Sequence, residues 1–199
     1  MAGLDKFLAT SLSETIKNEL DDEELKNVER KLFLEHGMSI KLSIEHFEQF
    51  MITLKSNSSI DVNQFHKICT DKVIKIKKSD SRYFVKLIND ELINLILGIM
   101  GDSESRKILG ILISNELTIP EILKKSKVPK TSGYRKIENL ILTGVIIETG
   151  RILSESKKVS KYKCCFEEII TTLNKDSIQI ECKVNKTMFE KSSCLIGLN

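Results

Sequence analysis

The sequence predicts an α+β protein: a mainly helical N-terminal domain, a second helical unit that closes in a hairpin, and a C-terminal β-hairpin. Three observations predict it. Apolar residues recur at helical spacing through the first 56 positions and again between 92 and 141. Two apolar segments flank a charged stretch near position 155 and read as strands. Near the C-terminus, Ile178, Ile180, Cys182 and Val184 alternate with polar residues. The expected division is a helical domain over 1–88, a connector helix over 89–102, a functional unit over 103–165, and a hairpin with its tail over 166–199.

Leu4, Phe7, Leu8, Leu12 and Ile16 form the stripe of a first helix. A second, with Leu25, Val28, Leu32 and Phe33, opens on a run of acids favourable at a helix N-terminus and stops at Gly37. A third runs through Ile40, Ile44, Phe47, Met51 and Leu54, and the three would pack as a bundle. After the Ser56–Ser59 loop comes a short helix, DVNQFHKIC. DKVIKIKK and RYFVKLI then flank the turn Ser79-Asp80-Ser81 as a β-hairpin, with a helix as the alternative. NDELINLILGIMG is a helix with Leu92, Leu95, Ile96 and Ile99 apolar, rich enough in apolar residues to be covered on more than one side. It is the expected connector and a candidate dimer helix.

The unit from Ser103 opens with a helix whose face is Ile108, Leu109, Leu112 and Ile113. TIPEILKKS follows. Thr118 and Glu121 have capping-box spacing, and Pro120 sits in the first turn, where its missing N–H costs nothing. A tight connection over Ser126–Pro129 leads to a third helix, in which Ile137, Leu140 and Ile141 share one face. Lys130, Thr131, Tyr134, Arg135 and Glu138 lie mostly on the other. Gly144 ends it, since glycine accepts a left-handed backbone. VIIETG and VSKYKCC then read as two strands around a long charged loop.

Helix, short helix, tight turn, helix, hairpin is the order of a winged helix-turn-helix, whose third helix enters the DNA major groove. A helix there must offer hydrogen-bonding groups to base edges and cations to phosphates. Thr131, Ser132, Tyr134 and Arg135 suit the bases, Arg135 by bidentate pairing with guanine. Lys124, Lys125, Lys127, Lys130 and Lys136 suit the phosphates, and the wing adds Arg151, Lys157, Lys158, Lys161 and Lys163.

On GDSESRKILGIL, TIPEILKKSKVPKTSGYRKIENLILTG and the wing, the chain resembles archaeal winged helix-turn-helix transcriptional regulators of the ArsR/MarR-like superfamily. The resemblance implies that Lys130 to Asn139 form the recognition helix and that Gly144 precedes the first wing strand. It also implies a homodimer on double-stranded DNA, with the N-terminal domain dimerising or taking a small-molecule or protein effector. Gly133 departs from the pattern, which usually carries a small aliphatic residue there. A glycine inside a helix costs about 1 kcal/mol relative to alanine, so it serves either close packing or an adaptable helix. The paired-cysteine motif of the metal-sensing members is missing from this unit.

Charge agrees with that reading. The 199 residues carry a net charge of only +3, unevenly spread. Residues 1–103 hold 14 basic against 17 acidic side chains, 104–165 hold 13 against 6, and 166–199 hold 4 against 5. The positive charge is confined to the proposed DNA-binding unit. No secretory signal pattern opens the chain, its longest apolar run is too short for a membrane span, and five cysteines lack framework spacing. A cytoplasmic protein is expected.

Other chemistry is thin. His66 and Cys69 are three apart and would share a helix face, but no second Cys/His pair has matching spacing, so a partly buried pair is the expectation. His36 and His46 fall at helix ends. Alternation would point the thiols of Cys164 and Cys165 to opposite faces, as structural cysteines or a redox sensor. No glycine-rich phosphate loop, Ser/His/Asp arrangement or paired-carboxylate motif is present. Neither an enzyme, a cofactor nor a metal is expected. The rival readings are a winged-helix protein-interaction module of the transcription machinery and a signalling protein. The tail after Lys186 is expected to be poorly ordered, with CLIGL able to dock.

Overall fold

The computed structural model describes residues 3–79, 82–154 and 157–198. Helix α1 (Asp5–Glu19) buries Phe7, Leu8, Leu12 and Ile16, and α2 (Asp22–His36) buries Val28 and Leu32. Asp21 caps α2 by accepting the N–H groups of Glu23 and Glu24, and Gly37 ends it at φ +65°. Phe33, expected on the inward stripe, is instead exposed.

The expected single helix from Ile40 to Leu54 is broken into α3 (Ile40–Ser43), a 3-10 turn (Ile44–His46) and α4 (Phe47–Asn57). The cause is tertiary. The Ser193 hydroxyl oxygen accepts from the Phe47 N–H and lies beside the Ile44 carbonyl, each at 3.3 Å, so a side chain from the far end of the chain interrupts the helical ladder.

Helix α5 (Val62–Val73) runs longer than expected, to the first residue pair of the sheet. Strands β1 (Ile74–Ser79) and β2 (Arg82–Leu87) then form the antiparallel hairpin, which removes the helical alternative for this segment. Asp80 and Ser81 of the expected turn lie outside the described residues. Helix α6 (Asp90–Gly101), capped by Asn89, buries Leu92, Ile96 and Ile99 and leaves Ile93, Leu97 and Met100 half-buried along one side.

The next unit comprises α7 (Ser103–Leu112), the two-residue β3 (Leu117–Thr118), α8 (Ile119–Ser126), α9 (Lys130–Leu142), β4 (Ile146–Ser154) and β5 (Lys157–Cys164). Its sheet has the order β3-β5-β4 and is antiparallel throughout. The capping box of α8 forms as its spacing predicts: Glu121 accepts the Thr118 N–H at 2.8 Å. Most of the expected charged loop is strand, since β4 and β5 pair from Ile146↔Cys164 out to Ser154↔Lys157, with an irregularity between Glu148 and Gly150. Glu155 and Ser156 lie outside the described residues.

Strands β6 (Glu168–Leu173) and β7 (Ile178–Asn185) make the C-terminal hairpin, closed by Asn174 N–H to the Ser177 carbonyl at 2.9 Å. It does not stand apart. β7 pairs with β2, giving one four-stranded antiparallel sheet β1-β2-β7-β6 from segments expected in separate units, 1–88 and 166–199. Nor is the tail loose. Helix α10 (Lys186–Glu190) stacks Phe189 on Tyr83 at 3.8 Å, and a 3-10 turn (Ser193–Leu195) is buried at Cys194 and Leu195. The chain is therefore mixed α+β, with a helical N-terminal region and C-terminal antiparallel strands. No helix among the described residues is long and apolar enough to cross a membrane.

Candidate nucleic-acid interface

The position of α9 is set at both ends. At its start, Lys127 takes the left-handed conformation (φ +55°) as the C-cap of α8, which makes the connection tight enough to bury Val128 and hand Pro129 to α9 as its N-cap. Gly133 faces α8 so closely that a Cβ there would overlap Leu123 Cδ2 and lie 3.3 Å from Val128 Cγ1. The glycine at this helical position therefore serves close packing. At its end, Gly144 (φ +72°) lies against the backbone of Lys6 and Phe7, tying the turn after α9 to the start of α1. Phe7 also meets Phe166 edge-to-face at 5.1 Å.

With Gly133, Ile137 and Leu140 buried, the outward face of α9 shows Thr131, Tyr134, Arg135 and Glu138. Lys124, Lys127, Lys130 and Tyr134 line one open cleft of about 820 Å³ at the α8–α9 turn, floored by Leu123, Val128 and Pro129. Lys125, also exposed, sits beside Lys124 at the end of α8. Three cations from two helices and the turn between them thus share one cleft with Tyr134.

Two of the expected contact residues turn elsewhere. The Lys136 ammonium lies 2.9 Å from Asp102 Oδ1, and the Ser132 hydroxyl donates to Glu104 Oε1 at 3.1 Å. Both therefore face the start of α7. Asp102 also caps that helix: its Oδ2 accepts from the Ser105 N–H and hydroxyl at 2.8 and 2.6 Å. Hydrogen bonds from Ser105 and then from Lys136 hold the Asp102 carboxyl down at about 2. The capping run Asp102-Ser103-Glu104-Ser105 was the signal for this arrangement; the partner helix was not readable from it.

The wing cations divide. Lys157 and Lys158 are exposed, paired with Ser154 and Leu153 at the outer end of the hairpin. Strand alternation sets them on opposite faces. Arg151 is held by Glu148, Nε to Oε1 2.8 Å, and Lys161 is half-buried opposite Gly150 and Thr118. Lys163 lines a groove with Glu116, Asn185 and Lys191, toward the four-stranded sheet. The cations of α8 and α9 come together, whereas those of the wing do not all share one surface.

The remaining candidate chemistry is internal. His66 is buried against Phe47 (ring centroids 4.5 Å), with its Nε2 2.7 Å from the Cys194 carbonyl. A carbonyl can only accept, so Nε2 carries the proton, and burial lowers the ring's pKa. All five cysteines are free thiols and buried. Burial pushes Cys69 up to about 12 and also raises Cys165, Cys182 and Cys194. Cys164 and Cys165 both point inward, because Cys165 lies past the end of β5 and strand alternation no longer governs it. Among the described residues, no three His, Cys, Asp or Glu side chains gather as a metal-binding group.

No protein-family model, curated protein or solved structure matches this chain.

Proposed function

We propose that residues 103–165 are a winged helix-turn-helix and that the chain is a homodimeric transcriptional regulator of double-stranded DNA. The observation that carries this reading is the cleft at the α8–α9 turn, lined by Lys124, Lys127, Lys130 and Tyr134 beside the outward Thr131 and Arg135. A helix presented in this way, with cations at its leading end, suits entry into a major groove while the lysines meet phosphate. The element order and the sheet order β3-β5-β4 add support. Lys157 and Lys158 would reach flanking backbone from the wing. Such a protein works in the cytoplasm, and its catalogue of buried thiols suits a reducing compartment.

Two half-sites on DNA require two copies. The half-buried stripe Ile93, Leu97 and Met100 of α6 is the surface we assign to self-association. The helical N-terminal region supplies a place for an effector, a cleft of about 810 Å³ between Phe47, Met51, His66, Ile196 and Leu198.

The test is binding of the full chain to a pool of labelled genomic duplexes at two salt concentrations. A variant with Lys124, Lys127 and Lys130 all changed to Ala should lose affinity and show a shallower salt dependence, by about 0.9 in slope for each phosphate contact removed. Unchanged binding would overturn the reading. A second reading, a protein-interaction module, is favoured by Leu142 at the end of α9 and Leu153 on the wing, 66% and 74% exposed. A chain that binds no duplex at low salt would favour it.

A further inference from the structure

The four-stranded sheet has one covered face and one open face. Along β2 and β7 the buried residues Tyr83, Val85, Leu87, Cys182 and Val184 alternate with half-buried or exposed ones, so the pleat sorts the two sides. On the open side the register places Lys77, Phe84 and Lys183 in one row across β1, β2 and β7, and Lys75, Lys86 and Glu181 in the next. Arg82 follows Phe84 on the same side of β2. Phe84 takes no part in the apolar core; its cross-strand partners are Lys77 and Lys183, the latter with its ammonium 3.8 Å from Glu167 Oε2.

This arrangement breaks a local rule. Lys75 and Lys86 stand directly opposite each other, and like charges in that position destabilise a sheet. The Lys86 ammonium donates to Gln179 Oε1 at 2.9 Å and not to the Glu181 beside it. The carboxylates of this face, Glu181 and Glu168, lie toward the β7–β6 side, so the β1–β2 side is basic with an aromatic ring at its centre. Residues 1–103 are net acidic, so a general excess of lysine does not explain the cluster.

We propose that this open face binds single-stranded nucleic acid, with a base stacked on Phe84 and phosphates met by Lys75, Lys77 and Lys86. An unpaired base can lie on a half-exposed ring flanked by cations, and a single strand leaves its bases free to do so. The inference does not rest on the duplex-binding reading of α9.

The experiment is fluorescence anisotropy of the full chain with a short labelled oligothymidylate and its oligouridylate counterpart at low salt. Phe84→Leu keeps apolar bulk but removes the ring, and should weaken binding about tenfold, while Phe84→Trp restores it. Changing Lys75 and Lys77 together to Gln should flatten the salt slope by about 1.4, two single-strand phosphate contacts. Four results would each overturn the proposal. One is no binding by the unaltered chain; another is Phe84→Leu binding as well as the unaltered chain when its melting curve is also unchanged. The third is polyglutamate competing as well as the oligonucleotide, which would mark an unspecific basic patch. If Lys130→Ala with Arg135→Ala abolishes oligonucleotide binding while Phe84→Leu does not, the site is α9 and the sheet face is excluded. Loss of duplex binding alone in that double variant leaves the two readings separate.

Discussion

The carboxylate of Asp5 accepts the backbone N–H of Cys194 at 3.0 Å, joining positions 189 apart in the chain. Its other oxygen takes the Ser193 N–H at 2.9 Å and the Ser193 hydroxyl at 3.0 Å. Asp5 is buried, so its carboxylate depends on these three bonds for its partners. Asp5→Ala leaves two backbone donors unpaired and should cost about 3 kcal/mol of unfolding free energy. Asp5→Asn, which keeps one acceptor oxygen, should cost less. Urea unfolding of both variants checks the order.

Gly144 is required twice over, by its positive φ and by the Phe7 backbone against it. Gly144→Ala should destabilise by about 2–4 kcal/mol, from left-handed strain plus overpacking. Gly150 has nothing within 4 Å of a built Cβ and no positive φ, so Gly150→Ala should be close to neutral. Paired denaturation curves measure the contrast.

Asp102 makes the α7–α9 junction sensitive to acid. Its folded carboxyl lies at about 2, below the ordinary 3.8, so the charged form is favoured by folding. That contribution is complete above the ordinary value and is lost as pH falls toward 2. Asp102→Asn keeps a capping oxygen but not the charge facing Lys136. The Tm difference between the unaltered chain and Asp102→Asn should be greatest above about pH 5 and shrink as pH falls through about 2.

Arg135 and the wing lysines should fail in different ways. Arg135→Ala should weaken specific duplex binding by about 1–3 kcal/mol while sparing non-specific binding, as a base contact does. Lys157→Ala with Lys158→Ala should weaken all duplexes alike and flatten the salt slope. Competition titrations with specific and random duplex separate the two. Equal losses for Arg135→Ala on both would make it a phosphate contact.

Legibility in the sequence followed the range of the interaction. The capping box at Thr118 and Glu121, the helix stops at Gly37 and Gly144, and the C-terminal hairpin depend on neighbours a few residues away, and each formed as expected. What could not be read depends on distant partners. Ser132 and Lys136 turn inward because Glu104 and Asp102 lie on another helix. The helix over 40–57 breaks because Ser193 reaches it. Alternation identifies β2 and β7 as strands but cannot say that they pair. The open basic face went unrecognised for the same reason, since Lys183 meets Phe84 only through that pairing.

The pairing of β2 with β7 also orders events during synthesis. Every strand of the β3-β5-β4 sheet lies before residue 165, so once those residues have left the ribosome that unit can close on itself while β2 still presents a bare edge. Closing the larger sheet must wait for residues 178–185, and the Asp5 clasp for residues still later. A nascent chain that has released only the residues up to Cys164 would carry a closed β3-β5-β4 sheet on an unfinished body, with the edge of β2 open until β7 arrives.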